Sequence, residues 1–126
     1  MSGRLQDRVA LITGASRGIG AAVAQRFASE GAHVVLVART RGGLEDIDDR
    51  IRTAHGEQRA ATLLELDLAE LDQVDRIGPT IADRFGRLDI VVGNAGILGE
   101  MAPINHIDAE IWTEVVDVNL NANWRL

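Results

Sequence analysis

The first apolar run, Val9–Thr13 (VALIT), is nearly continuous, and so is a second at His33–Ala38 (HVVLVA). Short runs of aliphatic and β-branched residues with no alternation are the pattern of strands buried on both faces, which places them in a parallel sheet covered by helices. Two further runs, AATLLEL at 60–66 and DIVV at 89–92, recur after stretches long enough to hold a helix each. Between the first two strands Ile19, Val23 and Phe27 fall four apart, which predicts a helix burying that stripe and closing at Gly31. The segment 44–54 carries Leu44, Ile47 and Ile51 at helical spacing, with Glu45, Asp46, Asp48, Asp49 and Arg50 opposite, the pattern of a surface helix with a solvated acidic face. In 70–85, Leu71, Val74, Ile77, Ile81 and Phe85 keep the helical period, and Gly78-Pro79 predicts a kink or a split. A last helix is expected from Asp108 as N-cap, with Ile111, Val115 and Val118 on one face.

Strands alternating with helices predict an α/β fold with a doubly wound parallel sheet, a three-layer αβα Rossmann arrangement with strand order 3-2-1-4 for the four strands present. No repeat, low-complexity tract or linker divides the chain, so residues 1–126 read as one domain.

Composition narrows the chemistry. The chain has 126 residues, a formal net charge of -6 and no run of basic residues, which argues against a nucleic-acid surface. It has no cysteine, hence no disulfide framework, and its amino terminus offers no apolar segment long enough for a signal peptide or membrane span. A soluble cytoplasmic protein is expected. His33, His55 and His106 lie on different elements without ligand spacing, so no metal site is expected. Trp112 and Trp124 are expected to pack on the core or a partner.

Chemistry concentrates in TGASRGIG (13–20), at the junction of the first strand and first helix. There the free N–H groups of a helix start can receive a phosphate if no side chain intervenes. Gly14 lets the strand turn tightly, Gly18 lets backbone meet pyrophosphate, and Gly20 allows close contact of helix and sheet.

The TGxxxGxG spacing resembles that of the short-chain dehydrogenase/reductase family. GNAGI (93–97), after the fourth strand, is similar to that family's NNAG segment, with Gly93 in place of the first asparagine. DVNLNANW (117–124) resembles the helix bearing its active-site asparagine. The resemblance covers essentially the whole chain and corresponds to the family's amino-terminal half. It implies hydride transfer between a nicotinamide cofactor and a small-molecule carbonyl or alcohol. It also implies that Asp67 and Leu68 lie near the adenine, that Asn94, Ala95 and Gly96 lie near the adenosine ribose, and that Asn119 is a catalytic residue holding a water in the proton relay. Ser16 and Ile19, beside the glycines, join the cofactor-binding set, and a homo-oligomer is expected.

The end of the second strand bears on cofactor choice. An acid there would hold the ribose hydroxyls and repel a 2′-phosphate, but the chain reads VLVART, with Ala38 at the acid's place, then Arg39 and Thr40. Arg17 in the glycine loop and Arg39 can clasp a phosphate through paired hydrogen bonds, so NADP is expected in preference to NAD.

The family's proton-transfer pair is a tyrosine and a lysine. This chain has no tyrosine, and all 13 of its basic residues are arginine. The pair therefore cannot be assembled from these residues. The chain is expected to be a cofactor-binding half, truncated before the catalytic segment and inactive alone, with an unpaired sheet edge that promotes self-association. The alternative is a non-catalytic nucleotide-binding or partner-binding module.

Overall fold

The computed structural model describes residues 3–126. Its four strands, β1 (Val9–Thr13), β2 (His33–Ala38), β3 (Thr62–Glu65) and β4 (Ile90–Val92), form one sheet ordered β3-β2-β1-β4. Every neighbouring pair is parallel: Leu11 stands beside Val35 and Val91, and Val37 beside Leu64. This is the predicted doubly wound order.

Alternate strand residues point to opposite faces, so the continuous apolar runs feed two cores. On one face Ala10, Ile12, Val34 and Leu36 pack under α1 (Gly18–Ser29) and α2 (Arg41–His55). On the other, Val9, Leu11, Val35 and Val37 pack with Val74, Ile77 and Ile81 of α3 (Leu71–Val74) and α4 (Ile77–Phe85), and with Val118 and Ala122 near the chain's end. In α2, Leu44, Ile47 and Ile51 are buried as expected.

The buried face of α1 differs from the expected stripe. Gly20, Ala21, Ala24 and Ala28 are the residues buried on the sheet, Val23 and Phe27 are only partly covered, and Ile19 is 74% exposed. The reason is steric, since small side chains let the helix axis come close to the strands, as the contact of Gly20 with the glycine turn requires.

The break within 70–85 also lies elsewhere than predicted. It falls at Asp75 and Arg76, between α3 and α4, while Gly78-Pro79 sits inside the first turn of α4. A proline there removes an N–H that has no intrahelical acceptor anyway, so it is accommodated without a kink. Strand β3 starts two residues later than 60–66 suggests, because the Ala60 N–H closes a turn onto Glu57 and the Ala61 N–H donates to the Asp48 carboxylate.

Asp108 precedes α5 (Ala109–Val116) as expected, but its side chain makes no capping hydrogen bond. The helix then passes through a π-helical turn, Asp117–Asn121, into α6 (Ala122–Arg125). Trp112 and Trp124 do not pack on the core, being 56% and 84% exposed. Strand β4 pairs with β1 alone among the described residues. No helix among them is long and apolar enough to cross a membrane.

His33, at the start of β2, lies with Nε2 2.8 Å from Thr62 Oγ1 and its ring 4.8 Å from that of Phe85. Burial, and secondarily the nearby Arg84 charge, holds its pKa below the ordinary 6.5. The unfolded chain therefore takes up the proton first, and stability present above about pH 6.5 is lost as pH falls toward the folded value. The urea midpoint should fall between about pH 7.5 and about pH 5.5, and less steeply in His33→Gln. Equal slopes in both proteins would exclude His33 as the source.

Candidate functional site

At the carboxyl ends of the strands the chain leaves β1 toward β2 on one side and β4 on the other, the point where an open parallel sheet forms a crevice. The crevice here is a cleft of about 270 Å³. Gly14, Ser16, Arg17, Gly18, Arg39, Asp67, Leu68, Asn94, Ala95 and Gly96 line it, residues drawn from four separate stretches of sequence. Ile19, Gly20 and Thr40, also expected to bind cofactor, are outside the lining.

The glycines divide their work. Gly14 (φ +61) turns the chain off β1, and a Cβ there would lie 2.9 Å from Asn94 Nδ2. Gly18 (φ +58) adopts a left-handed conformation, and a Cβ there would meet nothing within 4 Å. Its freedom thus serves the backbone path and keeps the loop face bare rather than relieving a clash. Gly20 is the contact glycine, buried beneath the loop, where a Cβ would lie 2.1 Å from the Gly14 carbonyl oxygen.

The first helical hydrogen bond of α1 runs from the Ala21 N–H to the Arg17 carbonyl at 3.2 Å. The amides of Gly18, Ile19 and Gly20 precede it and have no acceptor within the helix. With no acidic residue in this first turn, the partial positive charge of the helix start is not neutralised by the helix itself.

Thr13 was not singled out from sequence, yet it ties the two sides of the crevice together. Its buried Oγ1 accepts from the N–H groups of Asn94 (3.0 Å) and Ala95 (3.1 Å) and donates to the Val92 carbonyl (3.4 Å). Asn94 Nδ2 donates in return to the carbonyls of Thr13 and Gly14, at 3.3 and 3.2 Å. The polar residue ending an otherwise apolar strand was the available signal. Val37, Ala38, Leu66, Ile97 and Val118 complete the lining. Most of these are apolar residues of strand ends, which their types alone do not distinguish from core.

Arg17 and Arg39 are exposed beside the cleft. Neither takes part in an ion pair among the described residues, whereas Arg52, Arg87 and Arg125 each hold carboxylates. Asp67 is the acid in the lining, and its Oδ1 already accepts from the Ala69 N–H at 2.9 Å in a local turn. Thr40 precedes α2, with its Oγ1 3.1 Å from where a Cβ on Gly43 would stand. That same Cβ would lie 2.8 Å from Ser16 Cβ, so Gly43 lets α2 start against the glycine loop.

Asn119 sits in the π-helical turn, outside the cleft lining. Its Oδ1 accepts from the Ile97 N–H at 2.8 Å and its Nδ2 donates to the Ile97 carbonyl at 2.9 Å. Both ends of the carboxamide are thus engaged with one residue of the cleft wall.

A parallel sheet ordered 3-2-1-4, with a bare glycine turn at its switch point, defines the class of doubly wound Rossmann-type domains. Within that class the chain belongs to the short chain dehydrogenase family, which it matches over residues 8–126. It is 43% identical over 117 residues to galactitol 2-dehydrogenase of Agrobacterium fabrum, an alignment covering 93% of this chain and 43% of that protein. A metagenomic short-chain oxidoreductase solved in complex with NADP superposes with a TM-score of 0.91 at 36% identity, over 97% of this chain and 54% of the other. L-sorbose reductase from Gluconobacter frateurii, solved with NADPH and L-sorbose, gives 0.88 at 35% identity, over 100% and 47% of the two chains. The chain spans about half the length of the relatives it matches.

Proposed function

We propose that this chain is the cofactor-binding half of an NADP-dependent oxidoreductase that transfers hydride between the nicotinamide and a small-molecule carbonyl or alcohol. One observation carries the choice of cofactor: two exposed arginines without carboxylate partners, Arg17 and Arg39, flank a cleft in which β2 ends on Ala38 rather than an acid. The solved relatives that hold NADP and NADPH support the same reading.

The residues fit a dinucleotide. The open face at Gly18, where even a Cβ would meet nothing within 4 Å, the amides that open α1 and the contact at Gly20 would form a cradle for a diphosphate. Arg17 and Arg39 would hold a 2′-phosphate through charge-assisted hydrogen bonds. Ser16 and Thr40 would add hydroxyl contacts at the edges of the glycine loop and α2, and Ile19 would lie at the loop's rim. Asp67 and Leu68 would border the adenine, and Asn94, Ala95 and Gly96 the adenosine ribose. NADP, when bound, supplies the hydride acceptor or donor.

Asn119 would act in the proton relay of the whole enzyme. The phenol and the ammonium that the family uses for proton transfer are not among these residues, since the chain has no tyrosine and its basic residues are all arginine. A phenol of ordinary pKa near 10 needs a neighbouring cation to act as a base near neutrality, and no arrangement of this chain alone provides both. The isolated chain is therefore inactive in this reading and binds cofactor without turnover.

Titration of the purified chain with NADP and with NAD tests the proposal. NADP should bind tighter by about tenfold or more, the difference expected from even one charge-assisted phosphate contact. Equal affinities would remove the arginines from cofactor choice, and no binding of either dinucleotide would refute the function.

A further inference from the structure

We infer that Asn123 is a second positioning residue, which steadies the Asn119 hold on Ile97 while packing against Gly93, at the other end of the segment 93–97 that forms one wall of the cleft. The inference rests on the proposed cofactor site for its functional meaning, though its geometry is independent of that site.

Asn119 and Asn123 stand four residues apart and so share one side of the helix. Asn119 is hydrogen-bonded to Ile97, at the far end of the segment. Asn123 lies at its near end, where a Cβ on Gly93 would come within 2.6 Å of Asn123 Oδ1 and 3.3 Å of its Cγ. The carboxamide therefore rests against bare backbone. Between these two points are Asn94, Ala95 and Gly96, all three in the cleft lining.

The two asparagines are also joined to each other. Asn123 Nδ2 donates to the Asn119 main-chain carbonyl at 3.0 Å. Asn119 belongs to the π-helical turn Asp117–Asn121, where the ordinary ladder from residue to fourth residue is interrupted. The Asn123 side chain restores a donor at that spacing and ties α6 to the residue whose carboxamide holds Ile97. At Gly93 the absence of a side chain leaves the space that the Asn123 carboxamide reaches from the helix. Gly93 and Asn123 are in this sense one unit, the glycine making room for the side chain that steadies the turn.

The test uses the full chain, labelled with nitrogen-15, and four variants: Asn123→Asp, Asn123→Ala, Gly93→Ala and the double variant Gly93→Ala with Asn123→Ala. Asn123→Asp keeps the shape and loses the donor. In both Asn123 variants the Ile97 amide and the Asn119 carboxamide resonances should shift, and the Ile97 amide should exchange with solvent about fivefold faster, the size expected for one hydrogen bond. Gly93→Ala should disturb the same resonances, and the double variant should do so less than the two single changes combined. Unchanged Ile97 and Asn119 signals in Asn123→Asp, even with a lowered melting temperature, would overturn the inference, as would strict additivity in the cycle. These signals are read without cofactor, so their outcome is separate from that of the NADP titration.

Discussion

Gly20→Ala is expected to destabilise the chain by about 3 kcal/mol, the upper end of the range for an overpacked site, and to reduce dinucleotide affinity by about a hundredfold or more. The added methyl would stand 2.1 Å from the Gly14 carbonyl oxygen, 2.8 Å from its carbon and 2.6 Å from Asn94 Nδ2. Two of those neighbours are backbone, which has no alternative rotamer. Relief therefore requires α1 to move off the sheet, carrying with it the amides that face the cleft and disturbing the Asn94 bonds to Thr13 and Gly14. Gly42→Ala is the control, since a Cβ there meets nothing within 4 Å inside helix α2. It should leave binding unchanged and stabilise by up to about 1 kcal/mol through helix propensity. Urea midpoints and NADP titrations of the two variants decide the matter. A Gly20→Ala chain that binds like the parent would mean that the loop receives no diphosphate.

Arg39→Asp carries the second large effect. The substitution removes a guanidinium from the cleft and puts a carboxylate one residue beyond Ala38, the last residue of β2, where its charge would repel a 2′-phosphate and could reach the neighbouring ribose hydroxyls. A lost charge-assisted contact of about 1.5–3 kcal/mol corresponds to roughly a ten- to hundredfold weaker NADP complex, and NAD should bind more tightly than to the parent. The NADP deficit should shrink as salt is raised, because exposed charges are screened over about 8 Å at physiological ionic strength. Calorimetric titration of both dinucleotides at two salt concentrations is the measurement. A preference that does not move would assign Arg39 to the solvated surface and refute its part in cofactor choice.

Particular residues show how far the sequence could be read. Strands β1 and β2 were delimited correctly because two-sided burial leaves an unbroken apolar run, and a run of five or six such residues bounded by glycine or arginine has few alternatives. Helix α2 was legible because its acidic face contrasts with Leu44, Ile47 and Ile51. Helix α1 offered no such contrast. Its apolar residues, alanines included, lie on several sides; of the expected stripe Val23 and Phe27 pack at the edge of the core, partly buried, and Ile19 is exposed. The alanine face was selected by how near the helix must come to the Gly14 turn, a distance that no local pattern records. The proline at position 79 was likewise judged by type, when its position within the first turn of α4 decides its effect.

Within the cleft, the glycine spacing identified the loop, and family resemblance identified the segments around Asn94 and Asn119. Thr13 was missed, and the part Ile97 plays at the end of GNAGI was not read, because their roles are relational. Thr13 joins β1 to the segment after β4, residues about 80 positions apart in the chain, and Ile97 is held through its backbone, which any residue type would offer. Trp112 and Trp124 were expected to pack on the core or a partner, and the core is not where they lie, since apolar surface alone does not say which residues find a neighbour within the chain.

The amino-acid order by itself determined the alternation of strands and helices, the parallel sheet and the place of the glycine turn at the mouth of the cleft, because each follows from local periodicity and from what glycine permits the backbone to do. Only the tertiary structure decided which face of α1 is buried, which polar groups close the crevice and how Asn119 and Asn123 hold its wall. Those outcomes depend on distances between segments remote in the chain, and such distances arise only when the layers have packed.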